Sequence, residues 1–187
     1  IIVNHIGHQH WWLKDLPDTN WLNNQAFLTG GAFVGTNHNR STIQDPYASK
    51  VDTAQFTDGW FVDSMPDLNQ RHPLLATYLI QNSVWWVEYA NLSGIREDTY
   101  SYADKHFLTA WSKRLMSEYP NFNIVGEEWS ANPAVVAHWQ RGKVNASGHV
   151  PYMPSVMDFP NHETLREVLL EKEAWDKGWV RLYEMLA

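Results

Sequence analysis

Apolar residues recur at helical spacing in the second half of the chain. The stretch HPLLATYLIQNSVWWVEYANL has Pro73 where a first helical turn accepts it, and it predicts a helix over about 73–91. A second helix is predicted over about 103–119, where Pro120 stops it. The residues that recur at helical spacing are Leu75, Tyr78, Leu79, Trp86 and Tyr89 in the first helix and Leu108, Trp111, Leu115 and Tyr119 in the second. The adjacent Trp85 and Trp86 are predicted to lie in the core.

Short runs rich in β-branched residues predict strands between the helices. They are SGIRED, FNIVGEEW and PSVMDF, and the opening IIVNH reads as the last part of a strand whose beginning is missing. Two more helices are predicted in NPAVVAHWQRG, which Asn132 and Pro133 begin, and in ETLREVLLEKEAW. Four strands therefore alternate with four helices.

This alternation implies an α/β fold with a parallel sheet and right-handed crossovers, either an open doubly wound sheet or part of an eight-stranded barrel. No glycine-rich phosphate loop follows a predicted strand, so the sequence lacks the main signal of a nucleotide-binding sheet. Polar residues instead stand at the ends of the predicted strands, where barrel enzymes have their catalytic residues. These residues are Asn4, His5, Arg96, Asp98, Glu127, Glu128 and Asp158.

The first part of the chain, 6–72, has little periodicity and much Asn, Asp, Thr, Gly and Pro. It is far too long for an ordinary connection inside a compact domain, because most such connections have only a few residues. Its many aromatic residues favour a small subdomain with its own packing.

Composition narrows the class of protein. The chain has 187 residues, 44% of them apolar, with a formal net charge of -7 and no cluster of basic residues, so nucleic acid is not an expected partner. No apolar run approaches the roughly 20 residues that span a bilayer, so no membrane is expected either. The absence of cysteine excludes disulfides and thiolate metal sites, and the 11 tryptophans suit a core or a sugar-binding surface.

Asp98 and Glu127 end successive predicted strands and would face one cleft in a barrel. Glycoside hydrolysis needs one carboxylate to attack or stabilise an oxocarbenium-like centre and one protonated carboxyl to protonate the leaving oxygen. Arg96 lies two residues before Asp98, points to the same side and can hold that carboxylate ionised, whereas Glu128 points away from Glu127. Structural ion pairs at strand ends explain the same spacing, so both readings stay open at this point.

The histidines of the opening stretch invite a metal hypothesis. His5, His8, His10 and His38 lie close in sequence, and a zinc site needs three imidazoles, or two with a carboxylate, around one ion. The chain has no His-Glu-x-x-His helix, so hydrogen bonding and packing are the favoured roles. Trp11 and Trp12 are expected to anchor the 6–72 region by packing and not to stack on a sugar.

The segments IIVNH, MPDLN, GIREDTYSY and IVGEEW stand in the order and approximate spacing of signature segments of the α-amylase family of glycoside hydrolases. The resemblance covers essentially the whole chain and is closest to the neopullulanase and cyclomaltodextrinase-like branch. It implies part of a (β/α)8 TIM barrel, from about the end of strand 3 to helix 6, with a long irregular subdomain inserted after strand 3. Residues 1–5 and 73–187 are then assigned to the barrel and 6–72 to the insertion.

The resemblance also implies roles for single residues. Asp98 is the nucleophile of a retaining mechanism, Arg96 is its charge partner, and Glu127 is the acid and base. His5 binds sugar hydroxyls at the cleavage site. Asn4 helps to order the inserted subdomain, in many relatives through calcium; the chemistry itself requires no cofactor.

Four further residues are candidates for substrate contact. Tyr100 and Tyr102 follow the nucleophile, and each either borders a subsite or caps packing. Asp67 and Asn69 lie in the MPDLN segment, near the cleft if the resemblance holds.

Two departures from the family pattern qualify these assignments. Many members have a Lys-His pair where this chain has Ser101 and Tyr102, which weakens the expectation of calcium. The third family carboxylate, after an Asn-His pair near strand 7, has no match. We therefore expect a fragment of the catalytic domain that is inactive when expressed alone.

The activity that the resemblance implies is hydrolysis of α-1,4-glucosidic bonds in starch-derived oligosaccharides, cyclodextrins or pullulan, through a covalent glycosyl-enzyme intermediate. Transglycosylation at the same site stays open, as does a non-catalytic carbohydrate-binding or scaffold protein that keeps the barrel. The expected partner is an α-glucan oligosaccharide, with a homodimer for the full-length protein. A periplasmic or secreted location is slightly favoured, and a cytoplasmic one stays open.

Overall fold

A computed structural model describes residues 1–143, 145–146 and 149–186, so the few remaining positions of the predicted 73–187 barrel segment lie outside the described residues. Its centre is a parallel sheet of three strands in the order β1-β2-β3. The strands are β1 (Gly94–Glu97), β2 (Asn123–Gly126) and β3 (Ser155–Val156). The predicted α/β class with a parallel sheet is therefore confirmed.

The opening segment lies beside β1 and continues the sheet in the predicted order. Ile2 forms a parallel bridge with Asp98, and the Asp98 N–H donates to the Ile1 carbonyl over 3.0 Å. The predicted strand is reduced to this bridge because the Val3 N–H donates to the Glu97 side chain, 2.9 Å away, and not to a backbone carbonyl.

Seven α-helices accompany the sheet in the described residues. They are α1 (Ser41–Gln44), α2 (Lys50–Asp58), α3 (Pro73–Ala90), α4 (Lys105–Glu118), α5 (Pro133–Ala137), α6 (Phe159–Leu170) and α7 (Val180–Leu186). Short 3-10 helices cover Trp11–Lys14, Gln25–Thr29 and Tyr100–Tyr102. Helix α3 begins at the predicted proline, and α4 begins after Asp104, whose carboxylate caps it by accepting two backbone N–H groups.

The later helices differ from their predicted bounds. Helix α5 is only five residues long. Helix α6 begins earlier than predicted because the Asp158 carboxylate caps it, accepting the Asn161 N–H. It ends at Leu170 and does not continue to Trp175, since the following turn is held by Glu171 and Glu173, which accept backbone N–H groups from 178–179.

The core lies between the sheet and α3 and α4. Helix α3 buries the stripe Leu75, Leu79, Ser83 and Val87, and α4 buries Phe107, Leu108, Trp111, Ser112 and Leu115. Trp111 donates its indole N–H to the Ser83 hydroxyl over 2.9 Å, which satisfies both buried polar groups. The core assignment of Trp85 and Trp86 is wrong: they are 50% and 42% exposed, because they lie off the buried stripe.

Residues 6–72 pack through aromatic side chains and return to the opening segment. Trp12 and Trp21 are buried edge to face at 4.9 Å, and Trp60 is buried with Phe27 packed against it at 5.3 Å. Backbone bonds then tie this region to the opening strand, for example from the Leu68 N–H to the Asn4 carbonyl over 2.8 Å. Among the described residues, no helix is both long and apolar enough to cross a bilayer.

Replacing Trp111 with Ala should lower the free energy of unfolding by about 3–5 kcal/mol, because it opens a cavity in the core and leaves the Ser83 hydroxyl without its donor. Urea denaturation followed by circular dichroism measures the loss. Trp175→Ala is the matched control: this tryptophan is 91% exposed and its removal should change stability by no more than about 0.5 kcal/mol. Equal losses in the two variants would contradict the described core.

Candidate active site

The parallel register brings three charged side chains to one edge of the sheet. Glu97 pairs with Gly126 at the ends of β1 and β2, so Asp98 and Glu127 both follow directly at this edge. The Arg96 guanidinium donates to both: Nη1 to Asp98 Oδ1 over 2.5 Å and Nη2 to Glu127 Oε1 over 2.7 Å. One cation therefore bridges two carboxylates from neighbouring strands.

Strand alternation places the two neighbouring carboxylates, Glu97 and Glu128, in the interior. Glu97 lies between Arg96 and Asp98 and is fully buried, and this burial raises the pKa of its carboxyl well above the usual range. Glu128 is also buried, where it accepts the Trp139 indole N–H over 2.7 Å. Only Asp98 and Glu127 of these four acids remain at the surface of the cleft.

Arg96 and the Thr99 N–H are the hydrogen-bond donors to Asp98 and Glu127. The bond to Asp98 is the main reason that the pKa of the Arg96 guanidinium is raised, with the charge of Glu127 adding to it. Glu127 accepts a second bond at Oε2 from the Thr99 N–H over 2.9 Å. Glu127 thus accepts N–H donors from two sides, whereas Asp98 accepts one from Arg96.

A cavity of about 210 Å³ opens in front of the two carboxylates. It is lined by His5, Arg40, Phe61, Met65, Asp98, Thr99, Tyr102, Glu127 and Trp129. A larger cavity of about 410 Å³ lies between α2 and the start of α4, but none of Asp98, Glu127 and Arg96 lines it. The smaller cavity is therefore the candidate active site.

His5 forms the wall of the cavity on the side of the opening segment. Burial lowers the pKa of its imidazole, and the negative charge of Asp98 opposes this shift only in part. Its Nδ1 lies 3.4 Å from the Asn4 amide nitrogen. If that amide donates, the neutral ring carries its proton on Nε2, which leaves an N–H donor for a ligand hydroxyl.

The two predicted tyrosines have different surroundings. Tyr102 lines the cavity, its hydroxyl 3.0 Å from His38 Nδ1, and burial raises the pKa of Tyr102 to about 12. Tyr100 is 1% exposed and packs edge to face on Trp139 at 5.4 Å. Its ring also lies against Gly126, where an added Cβ would come within 3.3 Å of it. The structure therefore corrects the expectation for Tyr100, which is a packing residue.

Asp67 and Asn69 lie outside the cavity wall. Asp67 is buried and accepts the Asn23 amide over 2.8 Å, and burial raises the pKa of its carboxyl. Its backbone forms an antiparallel bridge with His5. Asn69 donates its amide to the Asn20 carbonyl over 3.0 Å. The expectation of substrate contact therefore gains no support from this cavity, and the backbone of Asp67 has the structural role of holding the backbone of His5.

The metal hypotheses gain little support from the described residues, in which no group of three or more His, Cys, Asp or Glu side chains is arranged to hold an ion. His10 accepts the Trp12 N–H over 3.2 Å, and His38 contacts Tyr102. Asn4 is buried, and its Oδ1 has no hydrogen-bond partner. This oxygen is of the kind that calcium takes as a ligand, so the expectation that Asn4 contacts calcium stays a prediction.

Five lining residues were not predicted from the sequence: Arg40, Phe61, Met65, Thr99 and Trp129. The first three lie in the irregular 6–72 region, where no periodicity indicates which side chains turn inward. Trp129 had a usable signal, because alternation from Glu127 places it on the same side. Its ring is 49% exposed and stacks on Phe159 with ring centroids 3.9 Å apart.

The buried position of His5 beside Asp98 gives a pH prediction. The pKa of His5 should lie below the usual value of about 6.5, and Asp98→Asn should lower it further, because the variant removes the negative charge that favours imidazolium. Proton–carbon NMR of the imidazole against pH measures both. Asp158→Asn, which removes a negative charge outside the cavity but keeps a capping side chain for α6, is the control and should leave the His5 pKa unchanged. A rise of the His5 pKa in Asp98→Asn would refute the described influence of the Asp98 charge.

Comparison of the sequence and fold with known proteins shows what the chain resembles. No family model matches the chain. Over 107 residues it is 27% identical to an intracellular maltogenic amylase of Bacillus subtilis, an alignment that covers 56% of the chain and 17% of that relative. Over 97 residues it is 29% identical to a cyclomaltodextrinase of Thermoanaerobacter pseudethanolicus, covering 51% of the chain and 16% of that relative.

The fold has a solved counterpart. The α-amylase of Geobacillus thermoleovorans, crystallised with acarbose, superposes with a TM-score of 0.70 at 24% identity, over 99% of this chain and 34% of that one. The matched region thus spans less than a fifth of either sequence relative and about a third of the solved chain. The chain is thus similar in sequence to a maltogenic amylase and a cyclomaltodextrinase and in fold to an α-amylase, which confirms the predicted resemblance to the α-amylase family of glycoside hydrolases.

Proposed function

We propose that the protein carrying this chain is a retaining glycosidase that cleaves α-1,4-glucosidic bonds in starch-derived oligosaccharides, cyclodextrins or pullulan. The observation that carries this proposal is the Arg96 bridge between Asp98 and Glu127 at the wall of one cavity. Two carboxylates that face one sugar-sized space are what glycosidic cleavage requires. The names of the maltogenic amylase and cyclomaltodextrinase relatives support the substrate class.

We also propose that 1–5 and 73–187 form part of a (β/α)8 barrel and that 6–72 is an insertion after its third strand. The opening segment, β1, β2 and β3 follow one another in parallel, as consecutive barrel strands do. The candidate site lies beyond their carboxyl ends, where barrel enzymes hold their catalytic residues.

Asp98 is the nucleophile in this proposal. Its ion pair with Arg96 orients the carboxylate, and its place on the cavity wall lets one oxygen attack the anomeric carbon. The bond from that carbon to the leaving oxygen breaks as the glycosyl-enzyme ester forms. Water then attacks the same carbon and releases Asp98, so the anomeric configuration is retained.

Glu127 is the acid and then the base. The acid step needs a protonated carboxyl, and both oxygens of Glu127 accept hydrogen bonds, Oε1 from Arg96 and Oε2 from the Thr99 N–H. We infer that an incoming sugar draws the guanidinium toward Asp98 and frees Oε1, where a proton can then reside. That proton passes to the leaving oxygen, and the regenerated carboxylate takes one from the attacking water.

The remaining cavity residues position the sugar. Neutral His5 offers an N–H to a ring hydroxyl, and Tyr102 closes the opposite wall. Trp129 presents a half-exposed aromatic face at the rim, and such faces suit the apolar side of a glucose ring. These contacts hold the anomeric carbon before Asp98, which is where much of the rate gain of an oriented reaction arises.

Separate variants of the two carboxylates test their roles in the complete gene product. Asp98→Asn should lower kcat/KM by about 10⁴-fold on both maltooligosaccharides and nitrophenyl glycosides, because no ester can form. Glu127→Gln should lose about 10²- to 10⁴-fold on maltooligosaccharides and much less on nitrophenyl glycosides, whose leaving group needs no proton. Steady-state kinetics with both substrates measure the difference.

The control for this experiment is Glu163→Gln, a partly exposed helical carboxylate paired with Arg166 outside the cavity, which should retain wild-type rates. Equal loss on both substrates in Glu127→Gln would contradict the acid role. A wild-type protein that binds maltooligosaccharides without cleaving them would replace the hydrolase with a carbohydrate-binding protein.

Trp129→Ala should raise KM for maltooligosaccharides about tenfold, equivalent to ~1.4 kcal/mol of binding, because the variant removes the aromatic face at the cavity rim. Trp179→Ala is the matched control, since Trp179 is about equally exposed but lies at the start of α7 outside the cavity. An unchanged KM in Trp129→Ala would show that the sugar does not contact this face.

A further inference from the structure

Arg40 and Glu128 form an ion pair that joins the irregular region to the end of β2. Arg40 Nε lies 2.8 Å from Glu128 Oε1. The Glu128 side chain is 1% exposed and that of Arg40 is 23% exposed. The other oxygen of Glu128 accepts the Trp139 indole N–H over 2.7 Å. The carboxylate is therefore held from two sides in a nearly dry place.

Aromatic packing confines the guanidinium of Arg40. It lies over the Tyr102 ring, with Cζ 5.4 Å from the ring centroid, in the geometry of a cation–π contact. Tyr102 stacks in turn on Phe56 at 4.7 Å and contacts His38 through its hydroxyl. The arginine side chain is thus fixed between a buried acid and an aromatic wall, and it lines the cavity beside Asp98 and Glu127.

The backbone of Glu127 does not need this ion pair for its own position. Its N–H donates to the Glu97 carbonyl over 3.0 Å, and its carbonyl accepts the Tyr100 N–H over 3.2 Å, so β1 already fixes it. The 37–44 turn, which includes α1, reaches the end of β2 from the irregular region. Two uncharged links also hold it: Gln44 donates to the Val135 carbonyl over 2.9 Å, and His38 Nδ1 lies 3.0 Å from the Tyr102 hydroxyl.

A buried carboxylate makes a strong tether because it tolerates the loss of its cation poorly. Removing the arginine would leave the charge of Glu128 in a low-dielectric interior with only neutral donors, which is costly. The partly exposed guanidinium of Arg40 loses less when the acid is removed, since water can replace its partner. The two single substitutions should therefore have unequal effects.

We propose that Arg40 and Glu128 are positioning residues that lock the 37–44 turn against the end of β2 and so set the cavity wall facing Asp98 and Glu127. The consequence for catalysis rests on the proposed function; the locking of the turn does not. Glu128 is adjacent to the acid in sequence but acts through Arg40, without touching the sugar.

Kinetics of the complete gene product on maltooligosaccharides test the catalytic consequence. Arg40→Gln should lower kcat by about 10- to 100-fold through misplacement of the wall, with KM changed by less than about threefold. Glu128→Gln should lower kcat less. Arg40→Lys should retain part of the activity that Arg40→Gln loses, because lysine keeps the positive charge but lacks the planar guanidinium. An unchanged kcat in Arg40→Gln, in an active protein, would overturn the proposal.

Hydrogen–deuterium exchange of the peptide covering 37–44 tests the locking without relying on glycosidase activity. Exchange should rise about tenfold or more in Arg40→Gln, less in Glu128→Gln, and no further in the double variant than in Arg40→Gln. Gln44→Ala, which breaks one of the uncharged links, should have a smaller effect, and Arg114→Gln, which breaks an exposed pair on α4, none. Unchanged exchange in Arg40→Gln overturns the proposal even if the protein proves to be no glycosidase.

Discussion

The parallel register of β1 and β2 is the constraint on which the candidate site depends. Because Glu97 pairs with Gly126, the next residues of the two strands, Asp98 and Glu127, leave the sheet side by side. Alternation then turns Arg96 to the same edge, within reach of both. A shift of one residue in either strand would turn its carboxylate into the core and place a different side chain before the cavity.

Burial explains why each acid near this edge has a partner. A carboxylate that leaves water needs hydrogen bonds or a cation, and the arrangement provides Arg96 for the two cleft acids and Arg40 for Glu128. The cleft pair shares one cation, Arg96. In the proposed mechanism, the negative charge of Asp98 favours the positive character that develops at an anomeric carbon.

The sequence predicted the regular elements well where local signals mark their ends. Pro73 begins α3, and Asp104 caps α4 just inside its predicted start. Apolar composition alone misled the core assignment: the buried stripe of α3 includes Ser83, which the Trp111 indole satisfies, and excludes the Trp85–Trp86 pair. A long-range hydrogen bond of this kind leaves no periodic trace in the sequence.

Some residues of the candidate site could be predicted from the sequence and others could not. Asp98, Glu127 and Arg96 were predictable because strand geometry fixes where consecutive side chains point. Arg40 was not, since its partner Glu128 is 88 positions away and only tertiary folding brings the 37–44 turn to β2. The short segments at the strand ends thus carry the reactive charges, and the irregular region contributes the wall that faces them. Chemistry and selectivity are therefore encoded in separate parts of the chain, and substitutions in 6–72 can reshape the cavity while the bridged carboxylates stay in place.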